Sequence, residues 1–251
     1  MRKITINLAA VAAFCIVVAS PALVSSSCAT PKTEQEDTTI IREDSGITAL
    51  KYSSPEVPAS IEFCGKTIDL SRFDRHERMD RELLAFTYMH STSLQMLKKA
   101  NRYFPIVEPI LKENGIPYDF KYLMVIESNM NPTARSSAGA AGLWQFMQGT
   151  GRDYGLEVNN NVDERYHIEK ATRAACRYLK DAYAKYKDWV AVAASYNAGQ
   201  ARIASQLAKQ DVDDSLDLQL VEETARYVYR ILAAKQLFNA PTTFGFRLRA
   251  S

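Results

Sequence analysis

Apolar side chains recur at helical spacing along most of the chain. The clearest case is Ile168 to Tyr186, where Ala171, Ala175, Tyr178, Ala182 and Tyr186 fall on one side, with lysines, arginines and acids on the other. Small residues on that stripe predict close packing against a neighbour. The same spacing predicts helices over Arg75 to His90, Leu94 to Phe104, Asp119 to Ser128, Trp189 to Ala198 and Val221 to Phe238. Pro105, Pro109 and the run Glu113-Asn114-Gly115-Ile116-Pro117 supply starts and a stop among them. One segment breaks the pattern. Ile61 to Leu70 alternates weakly about a Cys-Gly-Lys turn, which predicts a short hairpin or extended arm.

The first residues follow a different logic. Arg2 and Lys3 precede an apolar run from Ile4 to Val18, and the small-residue stretch ASPALVSSSCAT comes next. These are the three parts of an export signal, and the apolar run falls short of the ~20 residues a spanning helix needs. Residues 1–27 are therefore read as a signal peptide. Cys28 follows three serines and loosely matches a lipoprotein cleavage box, which predicts a lipid there and membrane attachment, with ordinary signal cleavage as the alternative. Residues 28–60 are polar, with Pro and Ser and little apolar periodicity, so they read as a flexible tether with an r.m.s. span of roughly 30 Å. A lead-in of hairpin plus helix is expected over 61–100 and a helical domain over 101–246.

Charge narrows the function classes. Thirty-one Lys plus Arg stand against 29 Asp plus Glu, a net charge of +2, so no electrostatic case exists for nucleic acid. The mixed run RFDRHERMDRE, Arg72 to Glu82, reads as a solvated helix face. Cys15 lies in the signal; Cys64 and Cys176 could pair in an oxidising compartment, but free thiols are expected, Cys176 because it sits inside an alanine-rich helical run. Neither the cysteines nor His76, His90 and His167 show ligand spacing, so no metal and no other cofactor is predicted.

One residue stands out chemically. In Phe120, Leu123, Met124 and Glu127 the spacing i, i+3, i+4, i+7 places a carboxylate on an apolar stripe. Desolvation disfavours the charged form, so this acid is expected to keep its proton near neutral pH and to be able to donate it. The alternative is a helix-end Glu whose tip reaches water or pairs with Arg135. After Asn131-Pro132 the chain runs SSAGAAGLWQFM, small residues and glycines followed by aromatics and an amide. Aromatic faces and amides suit sugar rings. Trp144 and Phe146 read as core, while Gln145 and Met147 read as groove.

These residues carry a resemblance. Glu127-Ser128, Pro132, Ser136, the run Gly139 to Met147, Thr150-Gly151-Arg152, Tyr154-Gly155-Leu156, Val162-Asp163-Glu164-Arg165, Ala194-Ser195-Tyr196-Asn197-Ala198-Gly199 and Glu223-Thr224-Ala225-Arg226-Tyr227-Val228 together resemble the lytic transglycosylase family, its membrane-bound type D group most of all. The resemblance covers about residues 101–246. It implies a mainly α (α+β), lysozyme-like fold and a monomer of the periplasm, held at the outer membrane if Cys28 carries lipid. The implied substrate is the glycan strand of peptidoglycan, cut between N-acetylmuramic acid and N-acetylglucosamine to leave 1,6-anhydromuramoyl ends. By the same resemblance Glu127 is the catalytic acid, and Ser136, Gln145, Met147, Tyr196, Asn197 and Tyr227 line the groove or hold the acid. Met130, Gln148 and Tyr229 depart from the family pattern without removing a reacting group.

Most glycosidases work with two carboxylates. Here Asp163 and Glu164 are the rivals for a second one, and their polar loop points to a salt-bridge role. A single Glu127 would then protonate the glycosidic oxygen, with help from the sugar's N-acetyl group, and later deprotonate the 6-hydroxyl. A hydrolytic muramidase and a non-catalytic glycan-binding envelope protein are the alternatives.

Overall fold

The computed structural model describes residues 54–212 and 214–248. The predicted signal, Cys28 and most of the predicted tether lie outside these residues. Pro55 is already buried, and the first strand opens at Ser60.

Strands β1 (Ser60–Phe63) and β2 (Lys66–Asp69) pair antiparallel, with Ile61 opposite Ile68. The hairpin turns on Cys64 and Gly65, both at positive φ (54° and 84°), as a tight two-residue turn requires. Its inner face, Phe63 and Ile68, is buried. Asp119 locks it in place, accepting from the Cys64 amide at 2.7 Å and from Lys235 Nζ at 2.9 Å.

Helix α1 (Phe73–Tyr88) packs along the much later α8 (Glu222–Asn239). This corrects the reading of Arg72 to Glu82 as a solvated face. Arg75, Met79, Glu82, Leu83 and Phe86 form a buried stripe, and its two charges survive there because each has partners. Arg75 Nη2 meets Asp214 at 2.9 Å and Asp217 at 3.0 Å, and Glu82 pairs with Arg226. A buried charge is tolerated when it is paired and hydrogen-bonded.

A second correction concerns the prolines. Helix α2 (His90–Glu113) runs through both Pro105 and Pro109 instead of stopping. Each proline removes one helical N–H. Both rings are exposed, as are Asn101 and Pro105, the residues one turn earlier that lose a helical donor. Water can therefore satisfy the freed carbonyls. The helix ends where Asn114 and Gly115 (φ 65°) cap it.

The short α3 (Phe120–Ser128) is buried on nearly every side, not along one stripe. It packs against α2 and α8; the chain continues through α4 (Gln148–Asp153), α5 (Ile168–Tyr186), α6 (Trp189–Ala198) and α7 (Gln200–Lys209), and α6 packs on α5, α7 and α8. Helices α5 and α6 have the predicted bounds. Alanines 171, 174, 175 and 182 of α5 are fully buried and let it approach α2 and α6 closely. The short α4 and the whole of α7 were not apparent in the apolar pattern. Cys64 and Cys176 are free thiols. Among the described residues no helix is long and apolar enough to cross a membrane.

Candidate active site

Glu127 is the last-but-one residue of α3, and the backbone leaves it abruptly. Asn129 (φ 49°) and Met130 (φ 58°) are consecutive residues in the left-handed region. For Met, with its bulky side chain, that conformation is strained, and such strain persists only where packing enforces it. Met130 is fully buried, which supplies the enforcement. The acid is thus held at the end of a rigid, core-embedded helix.

Glu127 is partly buried as a residue, but its carboxyl group is deeply buried and is bonded by the Tyr227 hydroxyl, which donates to Glu127 Oε1 from α8. Burial raises its pKa from 4.5 to about 7; the Tyr227 hydrogen bond and the Arg230 charge pull downward, and the Glu223 charge pushes upward. Desolvation wins, so the group holds its proton near neutrality. Among the described residues no ion pair joins Glu127 to Arg135; the cationic charge it feels is that of Arg230.

After Met130 the loop folds on itself. Ser136 caps it, its Oγ accepting from the Ala140 amide at 3.0 Å while its own amide donates to the Ala140 carbonyl at 2.9 Å. Gln145 sits at φ 49° and donates through Nε2 to the carbonyls of Gly142 (2.8 Å) and Ala134 (3.2 Å). Trp144 is fully buried, with Nε1 on Thr172 Oγ1 at 2.9 Å, and Phe146 is buried beside it, so both are core as read.

The keystone of this loop is Arg165, which sequence reasoning passed over. Nearly buried, it donates to the carbonyls of Gly139 (2.8 Å) and Phe146 (3.0 Å) and forks onto Asp163. Gly142 lies so close that a Cβ there would meet the Arg165 carbonyl oxygen at 1.9 Å. The Arg165 hydrogen bonds hold the Asp163 carboxyl below the usual carboxylate range, and Lys170 does the same for Glu164. Both acids are committed to ion pairs, as their polar loop suggested.

A cleft of ≈ 290 Å³ opens between this loop and the end of α6, lined by Gln145, Met147, Thr150, Tyr178, Tyr196 and Asn197 among others. Met147 is 46% exposed on its rim. Tyr196 donates to the Trp144 carbonyl at 2.8 Å and packs against Tyr178, ring centroids 5.1 Å apart. Burial, then the Glu127 charge, raises the Tyr196 pKa far above its ordinary value, so the acid and the cleft wall share one electrostatic neighbourhood. Asn197 Oδ1 accepts from Thr224 Oγ1 at 2.9 Å.

Four of the predicted residues, Gln145, Met147, Tyr196 and Asn197, therefore share the cleft. Tyr227 sits on the acid, and Ser136 stands apart, exposed at the tip of the loop. Tyr178, Thr224 and Arg230 were missed: Tyr178 was absorbed into the packing stripe of its helix, and the other two reveal themselves only through partners distant in sequence.

Residues 105–217 match the family described as the Transglycosylase SLT domain. The chain is 30% identical over 177 residues to the membrane-bound lytic murein transglycosylase D of Escherichia coli strain K12, across 68% of this chain and 38% of that one. It is 31% identical over 138 residues to the peptidoglycan transglycosylase gp16 of Escherichia phage T7, across 53% of this chain and 10% of that one. A solved structure of an inactive mutant of the lytic transglycosylase Slt from Pseudomonas aeruginosa is similar at 21% identity and a TM-score of 0.47, covering 57% of this chain and 24% of that one. The chain thus spans well under half the length of these relatives.

Proposed function

Residues 105–217 match the transglycosylase SLT-domain family, and from that premise we propose that the chain cleaves the β-1,4 bond between N-acetylmuramic acid and N-acetylglucosamine in peptidoglycan, leaving 1,6-anhydromuramoyl ends. The observation that carries this reading is the state of Glu127. It is a carboxyl group with a pKa near 7, poorly hydrated, fixed by Tyr227 and electrically in touch with a cleft of amide and aromatic character.

In this reading a glycan strand occupies the groove, with Gln145, Met147, Tyr196 and Asn197 along it. Glu127 gives its proton to the glycosidic oxygen and the C1–O bond breaks. The muramic N-acetyl carbonyl stabilises the cation that develops at C1. The carboxylate left behind then takes the proton of the muramic 6-hydroxyl, whose oxygen closes on C1. No water is consumed, and Glu127 ends as it began.

What supports one carboxylate over two is the commitment of Asp163 and Glu164 to Arg165 and Lys170. A specific observation favours a second reading. Glu223, exposed in the first turn of α8, is a carboxylate whose charge Glu127 feels. A hydrolytic muramidase would recruit it as the base that activates water.

Mass spectrometry of digested sacculi separates the two, because anhydro ends are lighter than reducing ends by one water. Reducing ends would overturn the transglycosylase reading, and the absence of fragments would leave only a glycan binder. The predicted export to the periplasm and the Cys28 lipid belong to the same proposal, and membrane fractionation with a Cys28→Ala variant tests them.

A further inference from the structure

Two ion pairs join the lead-in helix α1 to α8, and they differ in kind. Arg81 and Glu222 meet at 2.7 Å with both side chains more than half exposed, an arrangement that contributes little. Glu82 is only 2% exposed, and its carboxylate receives Arg226 Nε at 2.6 Å and Nη2 at 3.2 Å. A helix contact needing only apolar area would be served by a leucine. A buried carboxylate held by a two-pronged guanidinium fixes direction instead.

The direction it fixes is that of the next residue. Successive side chains on a helix are about 100° apart, so with Arg226 turned to α1, Tyr227 is turned to α3, where its hydroxyl meets Glu127. One turn earlier Thr224 holds Asn197 of α6. Helix α8 is thereby set in rotation by contacts on three sides, and the α1 contact lies outside residues 105–217, as Tyr227 itself does.

We infer that Glu82 is a positioning residue for Glu127, acting through Arg226 and Tyr227, which makes the lead-in helix part of the catalytic apparatus. This rests on the reading of Glu127 as the acid. The charged and titratable groups facing Glu127 are Tyr227, Arg230 and Glu223 on α8 and Tyr196 on α6. Among them Tyr227 is the one the clamp directs. Its hydrogen bond favours the ionised carboxyl, so loosening it moves the basic limb of the pH profile upward.

The test is fragment release from soluble glycan strands by the full chain, as wild type, Glu82→Gln, Arg226→Lys, Tyr227→Phe and the double variant Glu82→Gln/Tyr227→Phe. Glu82→Gln is expected to lower kcat by about tenfold, the scale of one hydrogen bond to a charged group, with KM nearly unchanged and the basic limb shifted as in Tyr227→Phe. Added to Tyr227→Phe it should change neither quantity further. Arg226→Lys keeps the charge and loses the fork, so it moves both readouts the same way, and it carries the test if Glu82→Gln does not fold. A purely structural Glu82 would lower Tm and leave kcat and the pH limb alone. That result, or additive losses in the double variant, overturns the inference while the proposed function stands. A wild-type chain that cuts no glycan overturns both.

Discussion

The Tyr227 hydroxyl donates to Glu127 Oε1 across the junction of α8 and α3, two helices brought together from positions 100 residues apart. Burial raises the Tyr227 pKa far above its ordinary value, so it remains a donor throughout the working range. Replacing it by Phe removes a hydrogen bond that favours the Glu127 carboxylate. Activity is expected to fall about tenfold, with the basic limb of kcat/KM moving above pH 7. A limb that moves down would contradict the assigned direction.

Glu127→Gln should lose ~10²–10⁴-fold in activity, the usual worth of general acid–base catalysis, and should fold. It should also change stability in a pH-dependent way. The folded pKa of Glu127, about 7, lies above its ordinary 4.5. Stability linked to this group is therefore whole below pH 4.5 and is lost as pH rises through 7, by up to roughly 3 kcal/mol. The variant should match wild type in thermal melts near pH 4 and exceed it near pH 8.

Much of this site can be read along the chain, and the reason is local. Glu127 interrupts an apolar run, so its burial shows in the spacing, and the alanine stripe of α5 shows in the same way. Glu82 and Arg226 are 144 residues apart, and a buried charge with a distant partner is indistinguishable in sequence from a solvated one. Arg165 hides for a related reason: apart from the neighbouring Asp163, its partners are backbone carbonyls, which carry no sequence signature. The continuation of α2 through two prolines depends on which side of the helix faces water, a property of the whole fold.

Gly142→Ala should be among the most damaging single methyl additions. The residue sits at φ 78°, and the new carbon would meet the Arg165 carbonyl oxygen at 1.9 Å. A loss of roughly 2–4 kcal/mol is expected from forced backbone movement. Loop 134–147 carries Gln145 and Met147, so KM for glycan should rise as well, measured beside chemical denaturation.

Arg165→Lys keeps a positive charge for Asp163 but cannot reach two carbonyls and a carboxylate together. Its main effect should be a raised KM with kcat largely kept. The ion pair also sets an acid-side limit. The folded pKa of Asp163 is depressed, so the stability it contributes is present above its ordinary value of 3.8 and is lost as pH falls below it. Wild type should lose stability on acidification there more steeply than an Asp163→Asn variant.

The thiols provide a check on the fold itself. Cys176 is fully buried and desolvation pushes its pKa up to about 11, while burial and Asp119 drive Cys64 up further. Neither should react appreciably with an alkylating reagent at pH 7.5 until the chain is denatured, when both should label. Mass spectrometry of the peptides that carry Cys64 and Cys176 reads the labelling.

The two left-handed residues after Ser128 separate anatomy from chemistry. Because the chain reverses at once and buries Met130 as a stopper, residues 131–138, mostly exposed, can change in length or composition without dragging on the proton donor. On the proposed function, variation in that stretch would change which glycan strands gain entry while Glu127 stays where it is.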